Sequence, residues 1–268
     1  MKRNERIGAM IKILSSNPNT IFTLNFFTDK FDSAKSSISE DIVIAKRIME
    51  NMKLGKIVTL SGAAGGVKYI PCVSKDDTKF LMDELCLKLK DENRILAGGF
   101  LYTSDIMFNS SIIKRAGEVF ATWFSDKKAD YVVTVETKGI PLAVMTADAL
   151  NLPLVVARRD SKVSEGSTVS INYISGSTDR IQKMSMSKRA VKQGSRAIVI
   201  DDFMKGGGTA RGIVDILTEF EIEVVGIGVL ISTKKPEKKL VKDYISLISI
   251  DKVDIESKNI QVYPNYYL

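Results

Sequence analysis

The chain of 268 residues contains no histidine and only two cysteines, Cys72 and Cys86. Without histidine, a Ser-His-Asp triad and a His-ligated metal site are both excluded. Two cysteines are too few for a disulfide framework or a structural zinc site, so we expect both thiols to be reduced. Any acid–base chemistry would have to come from carboxylates, lysine or tyrosine, and we predict no metal site and no resident cofactor.

Long apolar runs are also lacking. No stretch of 18 or more apolar residues occurs, so a membrane-spanning helix is not expected. Residues 1–6 are mostly charged, which is unlike a secretory signal peptide. We therefore expect a cytoplasmic protein with no membrane partner. A hydrophobic content of 44% is enough for a packed core, and the length allows one large domain or two ordinary ones.

The net charge of +7 is distributed unevenly along the chain. Residues 1–74 contain 11 Lys and Arg against 6 Asp and Glu, so most of the positive excess lies in the first quarter. A basic N-terminal segment favours nucleic acid as a partner, and a solvated basic face is the alternative.

The first 74 residues predict a small helical unit that ends in a β-hairpin. A first helix is indicated by apolar residues on one face, namely Ile7, Met10, Ile11 and Leu14. A second helix is predicted over Leu24–Phe31, and a third from about Ala34 to Met52, capped by Asp32 or Ser33. The inward face of the third helix would comprise Ile38, Ile42, Ala45 and Met49. The strands of the hairpin would be 56–60 and 67–70, joined by a glycine-rich tip.

Three helices followed by a hairpin are typical of winged helix-turn-helix domains, in which the third helix enters the major groove and the hairpin forms the wing. Hydroxyl and basic side chains at the start of the third helix suit contacts with phosphates and base edges. A helical dimerisation or regulatory domain is the alternative. The residues predicted to contact double-stranded DNA are Arg3, Lys35, Ser36, Ser37, Ser39, Lys46, Gly65, Gly66 and Lys68.

The remaining chain predicts an α/β domain. Ser74 to Asp77 is expected to be a junction, and residues 80–89 a helix within a linking segment 75–95. Beyond Leu96, strands alternate with helices, which predicts a mostly parallel sheet covered by helices on both faces. The predicted strands are Tyr131–Val135, Leu154–Ala157, 197–200 and 226–231, and a helix is predicted over 141–150. The predicted domains are therefore 1–74 and 75–268.

The most informative stretch runs from Ile198 to Thr209. An apolar strand ends in the adjacent carboxylates Asp201 and Asp202, at the edge where open α/β sheets bind ligands. Carboxylates there can accept hydrogen bonds from the cis hydroxyls of a ribose. The glycines and the hydroxyl that follow, at a helix N-terminus, suit a phosphate. A Walker-type loop is excluded because Lys205 precedes the glycines. A ribose 5-phosphate site is predicted, with an ordinary strand–turn–helix as the alternative.

This stretch resembles the phosphoribosyl pyrophosphate (PRPP) signature of type I phosphoribosyltransferases. The resemblance implies that the acid pair binds the ribose hydroxyls and that the loop through Thr209 wraps the 5-phosphate. It also implies that the glycine turn after the strand ending at Val135 holds the pyrophosphate. The polar segment from Arg158 to Tyr173 would be a flap over the site, with a solvated β-hairpin as the alternative. The predicted effector-binding residues are Asp201, Asp202, Phe203, Met204, Lys205, Gly206, Gly207, Gly208, Thr209, Thr137, Lys138, Gly139, Tyr102, Arg158, Arg159 and Lys162. Among them, Phe203 could stack on a base or cap the core, and Tyr102 could equally be a surface or core residue.

Taken together, the two halves resemble the purine operon repressors of Gram-positive bacteria over nearly the whole chain. The resemblance is carried by Ser33–Asp41, Ser61–Pro71, Glu165–Tyr173 and Asp201–Thr209. One departure is a glycine at 206 or 207 where the family usually has another small residue. Such a change should preserve the phosphate loop.

This resemblance implies a homodimeric repressor of purine synthesis genes that has no catalytic residues. PRPP, with or without Mg²⁺, would act as the inducer, and the alarmone ppGpp would oppose it in the same pocket. An active purine phosphoribosyltransferase with an N-terminal extension is the alternative from another class. A PRPP-binding RNA attenuation protein is the third reading.

Overall fold

A computed structural model describes residues 1–62, 65–160, 166–174 and 180–266. The chain forms two compact units: Met1–Ser74 with Asp148–Asn151, and Lys75–Ala147 with Leu152–Leu268. Among the residues described, none of the helices has both the length and the apolar character needed to span a bilayer.

The first unit has the winged-helix order of elements. Its helices are α1 (Arg3–Ser15), α2 (Leu24–Phe31) and α3 (Lys35–Asn51), followed by an antiparallel hairpin of β1 (Lys56–Leu60) and β2 (Gly66–Ile70). The predicted helices and hairpin are confirmed. All four residues predicted for the inward face of α3 belong to the buried core, which comprises Met10, Leu14, Phe27, Phe31, Ile38, Ile42, Ala45, Met49, Ile57 and Val67.

The predicted cap of α3 is wrong. The residue that precedes the helix is Ala34, which makes no side-chain cap hydrogen bond. Asp32 instead ends α2 in the left-handed conformation, with φ 45°. The Ser33 hydroxyl donates to the Phe31 carbonyl at 3.0 Å. Both polar residues are therefore used by the turn that ends α2, because a left-handed residue stops a helix and redirects the chain.

A buried carboxylate joins α1 to α3. Asp41 is fully buried and accepts hydrogen bonds from Arg6 Nε at 2.8 Å and Arg3 Nε at 3.2 Å. Arg3 also contacts Glu40 on the surface, at 3.0 Å. A carboxylate is costly to bury without partners, so the two arginines make this placement of α3 against α1 tenable.

The second unit begins with α4 (Lys75–Leu89), so the predicted junction is already helical from Lys75 onward. Its further elements are α5 (Ser104–Met107), α6 (Ser110–Phe124), β3 (Tyr131–Val135), α7 (Ile140–Leu150), β4 (Leu154–Ala157), β5 (Thr168–Ile174), β6 (Ile181–Ser187), β7 (Arg196–Met204), α8 (Gly208–Glu219), β8 (Glu223–Thr233), β9 (Tyr244–Asp254) and β10 (Asn259–Pro264).

The main sheet has the strand order β10-β9-β8-β7-β3-β4. Its strands are parallel except for β10, which pairs antiparallel to β9 with a register shift between Gln261 and Val262. Helix α6 packs on one face, where glycines 226 and 228 of β8 leave room for Phe124 and Phe120. Helix α8 packs on the other face with the β5–β6 hairpin. The predicted, mostly parallel sheet with helices on both faces is confirmed.

Candidate functional sites

A cavity of about 360 Å³ opens at the carboxyl ends of β3 and β7. The loop after β3 supplies one wall, and the end of β7 with the start of α8 supplies another. The carboxyl edge is where parallel sheets place their ligands, because the loops there diverge from adjacent strands. The lining residues are Val135, Glu136, Thr137, Lys138, Arg159, Asp201–Ala210 and Val229.

The acid pair lies inside β7, which extends to Met204 instead of ending at Ile200. Asp201 is only 6% exposed, whereas Asp202 is half-buried. The Asp202 backbone N–H donates to Asp201 Oδ1 at 2.9 Å. Burial, and secondly the neighbouring Asp202 carboxylate, raise the pKa of Asp201 well above its usual range. The pair therefore combines a buried carboxyl group with a more accessible one, and the oxygens of both can accept hydrogen bonds from hydroxyls.

The structure places the loop after β3 directly beside Asp201. A Cβ atom on Gly139 would lie 2.6 Å from Asp201 Oδ1 and 2.8 Å from Thr134 Oγ1, so this close approach requires glycine. Thr137 and Lys138 line the cavity, while Gly139 is buried behind them. The sequence-predicted acid pair and turn are thus brought together at one edge of the sheet.

The glycine-rich loop leads from β7 into α8. Gly207 precedes the helix with φ +83°, a conformation that strains residues with a side chain. Thr209 lies in the first turn, where backbone N–H groups lack helical partners and carry partial positive charge. Residues 203–209 all line the cavity. The loop has the chemistry of an anion site.

Glu136 contacts two arginines that were predicted to bind the effector, Arg158 and Arg159. Glu136 itself was not among the predicted residues. Its Oε1 accepts the Arg159 backbone N–H at 2.7 Å, and its Oε2 lies 3.6 Å from Arg158 Nη1. Arg159 lines the cavity, whereas Arg158 does not. The position of an acid between β3 and the glycine turn was the available signal.

One other predicted residue is absent from the lining of the cavity. Tyr102 is 45% exposed and absent from the lining; its backbone N–H donates to Arg94 O, and its carbonyl accepts from Arg94 Nη1. These bonds hold the Tyr102 backbone in the segment before α5, and the contact of its side chain with an effector stays a prediction. Lys162 lies outside the described residues.

The predicted flap is, in its described part, a packed hairpin. Tyr173 of β5 is 7% exposed and lies over Gly212 of α8, where an added Cβ would be 2.9 Å from the ring. Its hydroxyl donates to Gln182 Oε1 at 2.8 Å, and burial raises the pKa of Tyr173. The Tyr173 end of the segment is therefore anchored on α8, and residues 161–165 lie outside the described part.

The predicted DNA-contacting residues of the first unit lie on α3, at the start of α1 and in the hairpin. Along α3, the exposed ones are Lys35, Ser36, Ser39 and Lys46, and Ser37 is half-buried. Arg47, beside Lys46, is also exposed and was missed, although a basic pair was visible in the sequence. Arg3 is half-exposed and engaged with the acids of α3 described above.

The hairpin corrects one predicted contact. Lys68 and Gly65 are half-buried, whereas Gly66 is buried within β2. A side chain at Gly66 would collide with the Phe22 carbonyl, because Phe22 and Val67 form an antiparallel bridge there. Gly66 therefore serves close backbone packing and is not exposed as the tip of a wing.

Comparison with known proteins gives two family matches. Residues 2–71 match the N-terminal domain of the bacterial purine repressor, and residues 105–266 match the phosphoribosyl transferase domain.

Three similar proteins match along nearly their whole lengths. The probable purine biosynthesis transcriptional regulator of Streptococcus pneumoniae serotype 4 is 45% identical, over 98% of this chain and 96% of its own. The purine biosynthesis transcriptional repressor of Bacillus subtilis is 43% identical, over 100% of this chain and 94% of its own. The purine biosynthesis transcriptional activator of Lactococcus lactis subsp. lactis is 39% identical, over 98% of this chain and 97% of its own.

Among solved structures, the adenine phosphoribosyltransferase of Thermoanaerobacter pseudethanolicus aligns with a TM-score of 0.54 and 22% identity. It covers 62% of this chain and 98% of its own. At this identity the likeness establishes a common fold for the second unit and no more.

Proposed function

The chain belongs to the family of bacterial purine biosynthesis transcriptional regulators, and from that premise we propose that it represses purine biosynthesis genes by binding operator DNA. The observation that carries the proposal is the exposed start of α3, with Lys35, Ser36 and Ser39, in a unit of winged-helix plan. Relatives named repressor and activator both occur. Repression is proposed because the relative named repressor is the more similar of those two, at 43% against 39% identity.

In this proposal, α3 enters the major groove of the operator and the hairpin lies beside it. Lys35 and Lys46 neutralise phosphates, and the hydroxyls of Ser36 and Ser39 reach phosphate oxygens or base edges. The Asp41 ion pairs hold α3 at a fixed angle to α1, so the contacts are presented from a rigid helix. Such a regulator acts in the cytoplasm.

We propose PRPP as the inducer, bound in the cavity of the second unit. The 5-phosphate lies on residues 206–209, the ribose hydroxyls on Asp201 and Asp202, and the pyrophosphate near Lys138 and Arg159. If PRPP prefers the conformation that cannot bind the operator, linkage requires that it weakens operator binding. A second anion such as ppGpp, which carries phosphates on a ribose, suits the same groups and would oppose PRPP by competition.

We propose that any Mg²⁺ would bind together with PRPP and not to the protein alone. No group of three or more His, Cys, Asp or Glu side chains that could hold a metal occurs in the described part of the chain. We assign no resident metal, and Mg²⁺ would come as the counterion of the pyrophosphate.

The proposal is tested by a gel shift with promoter DNA of a purine biosynthesis gene, with and without PRPP. We expect a shifted band that PRPP reverses, while ribose 5-phosphate and pyrophosphate, each missing half of the contacts, are weaker. A band strengthened by PRPP would assign the opposite direction of regulation. Absence of any shift would remove the DNA-binding role.

The salt dependence of binding tests the docking of the first unit. Lys35→Ala and Lys68→Ala should each weaken binding to all sequences and lower the log–log salt slope by about one unit, because each removes a phosphate contact. Lys238→Ala, at an exposed lysine of the second unit, is the matched control and should leave the slope unchanged. Slopes equal to wild type in both test variants would count against this docking.

We also propose that the protein acts as a homodimer, since palindromic operators are read by two-fold pairs. The second unit exposes large apolar side chains at Leu96, Phe100, Phe108 and Ile255, which are 46–60% exposed. Exposed apolar groups of this size are typical of interfaces. Light scattering should give about twice the chain mass of 29.6 kDa, and a monomeric mass would contradict the proposal.

An active phosphoribosyltransferase is the second candidate, favoured by Phe203, which lines the cavity and is 36% exposed, within reach of a base. We propose instead that base transfer is absent, because a sensor gains from holding PRPP without consuming it. With adenine, guanine, hypoxanthine, xanthine and orotate we expect turnover far below ~1 per second, the low end for enzymes. Turnover near that rate that vanishes in an Asp201→Ala/Asp202→Ala variant would reassign the protein as an enzyme. Activity that persists in that variant would identify a contaminating transferase.

A further inference from the structure

Lys239, between β8 and β9, holds the outer side of the glycine-rich loop. Its Nζ donates to the Lys205 carbonyl at 2.5 Å and to the Thr233 carbonyl at 2.6 Å. The next residue, Leu240, donates its backbone N–H to the Gly206 carbonyl at 2.9 Å. Two consecutive residues therefore bind two consecutive carbonyls of the loop that enters α8.

These bonds decide which way the N–H groups of the loop point. In a planar trans peptide the carbonyl and the N–H point in opposite directions. The cis bonds among the described residues are at Glu136–Thr137 and Lys235–Pro236, so the peptides of the loop are trans. Since the carbonyls of Lys205 and Gly206 point toward residues 239–240, the N–H groups on the other side of those peptides point away from that segment. They belong to glycines 206 and 207, which line the cavity.

A charged donor suits this place better than a neutral one. The Lys205 and Thr233 carbonyls come from the ends of neighbouring strands, β7 and β8, and a single ammonium satisfies both. Hydrogen bonds from a charged donor are stronger than neutral ones. Partial burial lowers the pKa of Lys239, because loss of water disfavours the charged ammonium.

We propose that Lys239 is a positioning residue for effector binding, which fixes the Lys205–Gly206 peptide so that its N–H faces the phosphate. Lys239 does not line the cavity, so it acts through the loop and not on the ligand. The inference rests on the proposed PRPP site and deepens it.

The test compares Lys239→Met with Lys238→Met in calorimetric titrations of the full chain. Lys238 is exposed and adjacent, so its replacement removes the same charge without touching the loop. The probes are ribose 5-phosphate, which requires the glycine-rich loop, and inorganic pyrophosphate, which requires the loop after β3. In Lys239→Met we expect affinity for ribose 5-phosphate to fall about tenfold. Affinity for pyrophosphate should be unchanged, and Lys238→Met should match wild type for both probes.

Wild-type affinity for ribose 5-phosphate in Lys239→Met overturns the inference. So does a parallel loss of both probes, since that would indicate general damage to the site. If thermal unfolding shows that Lys239→Met does not fold, Lys239→Gln, which removes the ammonium and keeps a shorter neutral donor, takes its place. A smaller but selective loss of ribose 5-phosphate affinity is then expected, and no loss overturns the inference. Wild-type protein that binds neither probe would instead overturn the effector site, and this inference with it.

Discussion

Replacing Asp201 and Asp202 together by alanine is expected to lower the affinity for PRPP by at least about tenfold, since hydrogen bonds to charged groups contribute roughly 1.5–3 kcal/mol each. Both carboxylates line the cavity, and both would lose their contacts with the ribose hydroxyls. Operator binding should survive, because the first unit is untouched, but it should no longer respond to PRPP. Calorimetry and gel shifts on the same preparation measure the two effects.

Two controls separate loss of ribose recognition from damage to the fold. Pyrophosphate has no ribose hydroxyls for the acid pair to bind. Its affinity should not fall in the double variant, because the two carboxylates carry the same sign of charge as pyrophosphate. Glu219→Ala, at an exposed acid of α8, should bind PRPP as wild type does. Unchanged PRPP affinity in the double variant would exclude the acid pair from the site.

The same double variant should be more stable than wild type at neutral pH. The native pKa of Asp201 is raised above the unfolded value of 3.8, chiefly by burial. A carboxyl group with a raised native pKa stabilises the native state while it is protonated. That contribution is lost at a pH above both the unfolded and the native pKa, where the buried group must be ionised. The contribution of Asp201 to stability should thus decline as pH rises above 3.8, so raising the pH should destabilise wild type relative to the variant. Thermal unfolding at acid and neutral pH shows this difference.

Asp41→Ala is expected to abolish operator binding and to destabilise the first unit by roughly 3 kcal/mol, the low end for breaking a buried ion pair. The low end applies because Arg3 is 52% exposed and can return to water, whereas Arg6 is only 12% exposed. With α1 and α3 no longer joined, the start of α3 is not held at a fixed angle. Gel shifts measure binding, and circular dichroism measures unfolding.

Glu40→Ala is the matched control for that prediction. The Glu40 side chain is 68% exposed and pairs with Arg3, whose side chain is 52% exposed. An exposed pair contributes little, so stability should change by less than about 1 kcal/mol. PRPP binding, measured by calorimetry, should persist in both variants because the cavity belongs to the second unit. Operator binding at wild-type strength in Asp41→Ala would show that α3 does not depend on this carboxylate.

Features carried by neighbouring residues could be predicted from the sequence. The faces of α1 and α3 follow from helical periodicity, and β3 and β4 from short β-branched runs. The acid pair and the glycine-rich loop are contiguous, so one stretch of chain contains most of the candidate site. The winged-helix order was visible for the same reason.

Features that depend on distant partners could not be predicted in this way. Nothing in the sequence around Lys239 indicates that its ammonium group donates to the carbonyl of Lys205, 34 residues earlier. Gly66 was predicted at the tip of the wing because glycines are common in turns, and the sequence does not show that the Phe22 backbone packs against it. The backbone hydrogen bonds of Tyr102 with Arg94 likewise join residues that no spacing rule pairs.

The two edges of the main sheet restrict how copies of this chain can associate. Strand β10 is interrupted by the register shift at Gln261 and ends in Pro264, which has no N–H to donate. At the other edge, β4 has four residues, and the chain directly after it bridges to β6 through Arg158 and Ser185. Among the described residues, neither edge offers a long, regular row of free backbone groups. A dimer should therefore form through side chains and not by continuing the sheet, which also guards the protein against fibrous aggregation.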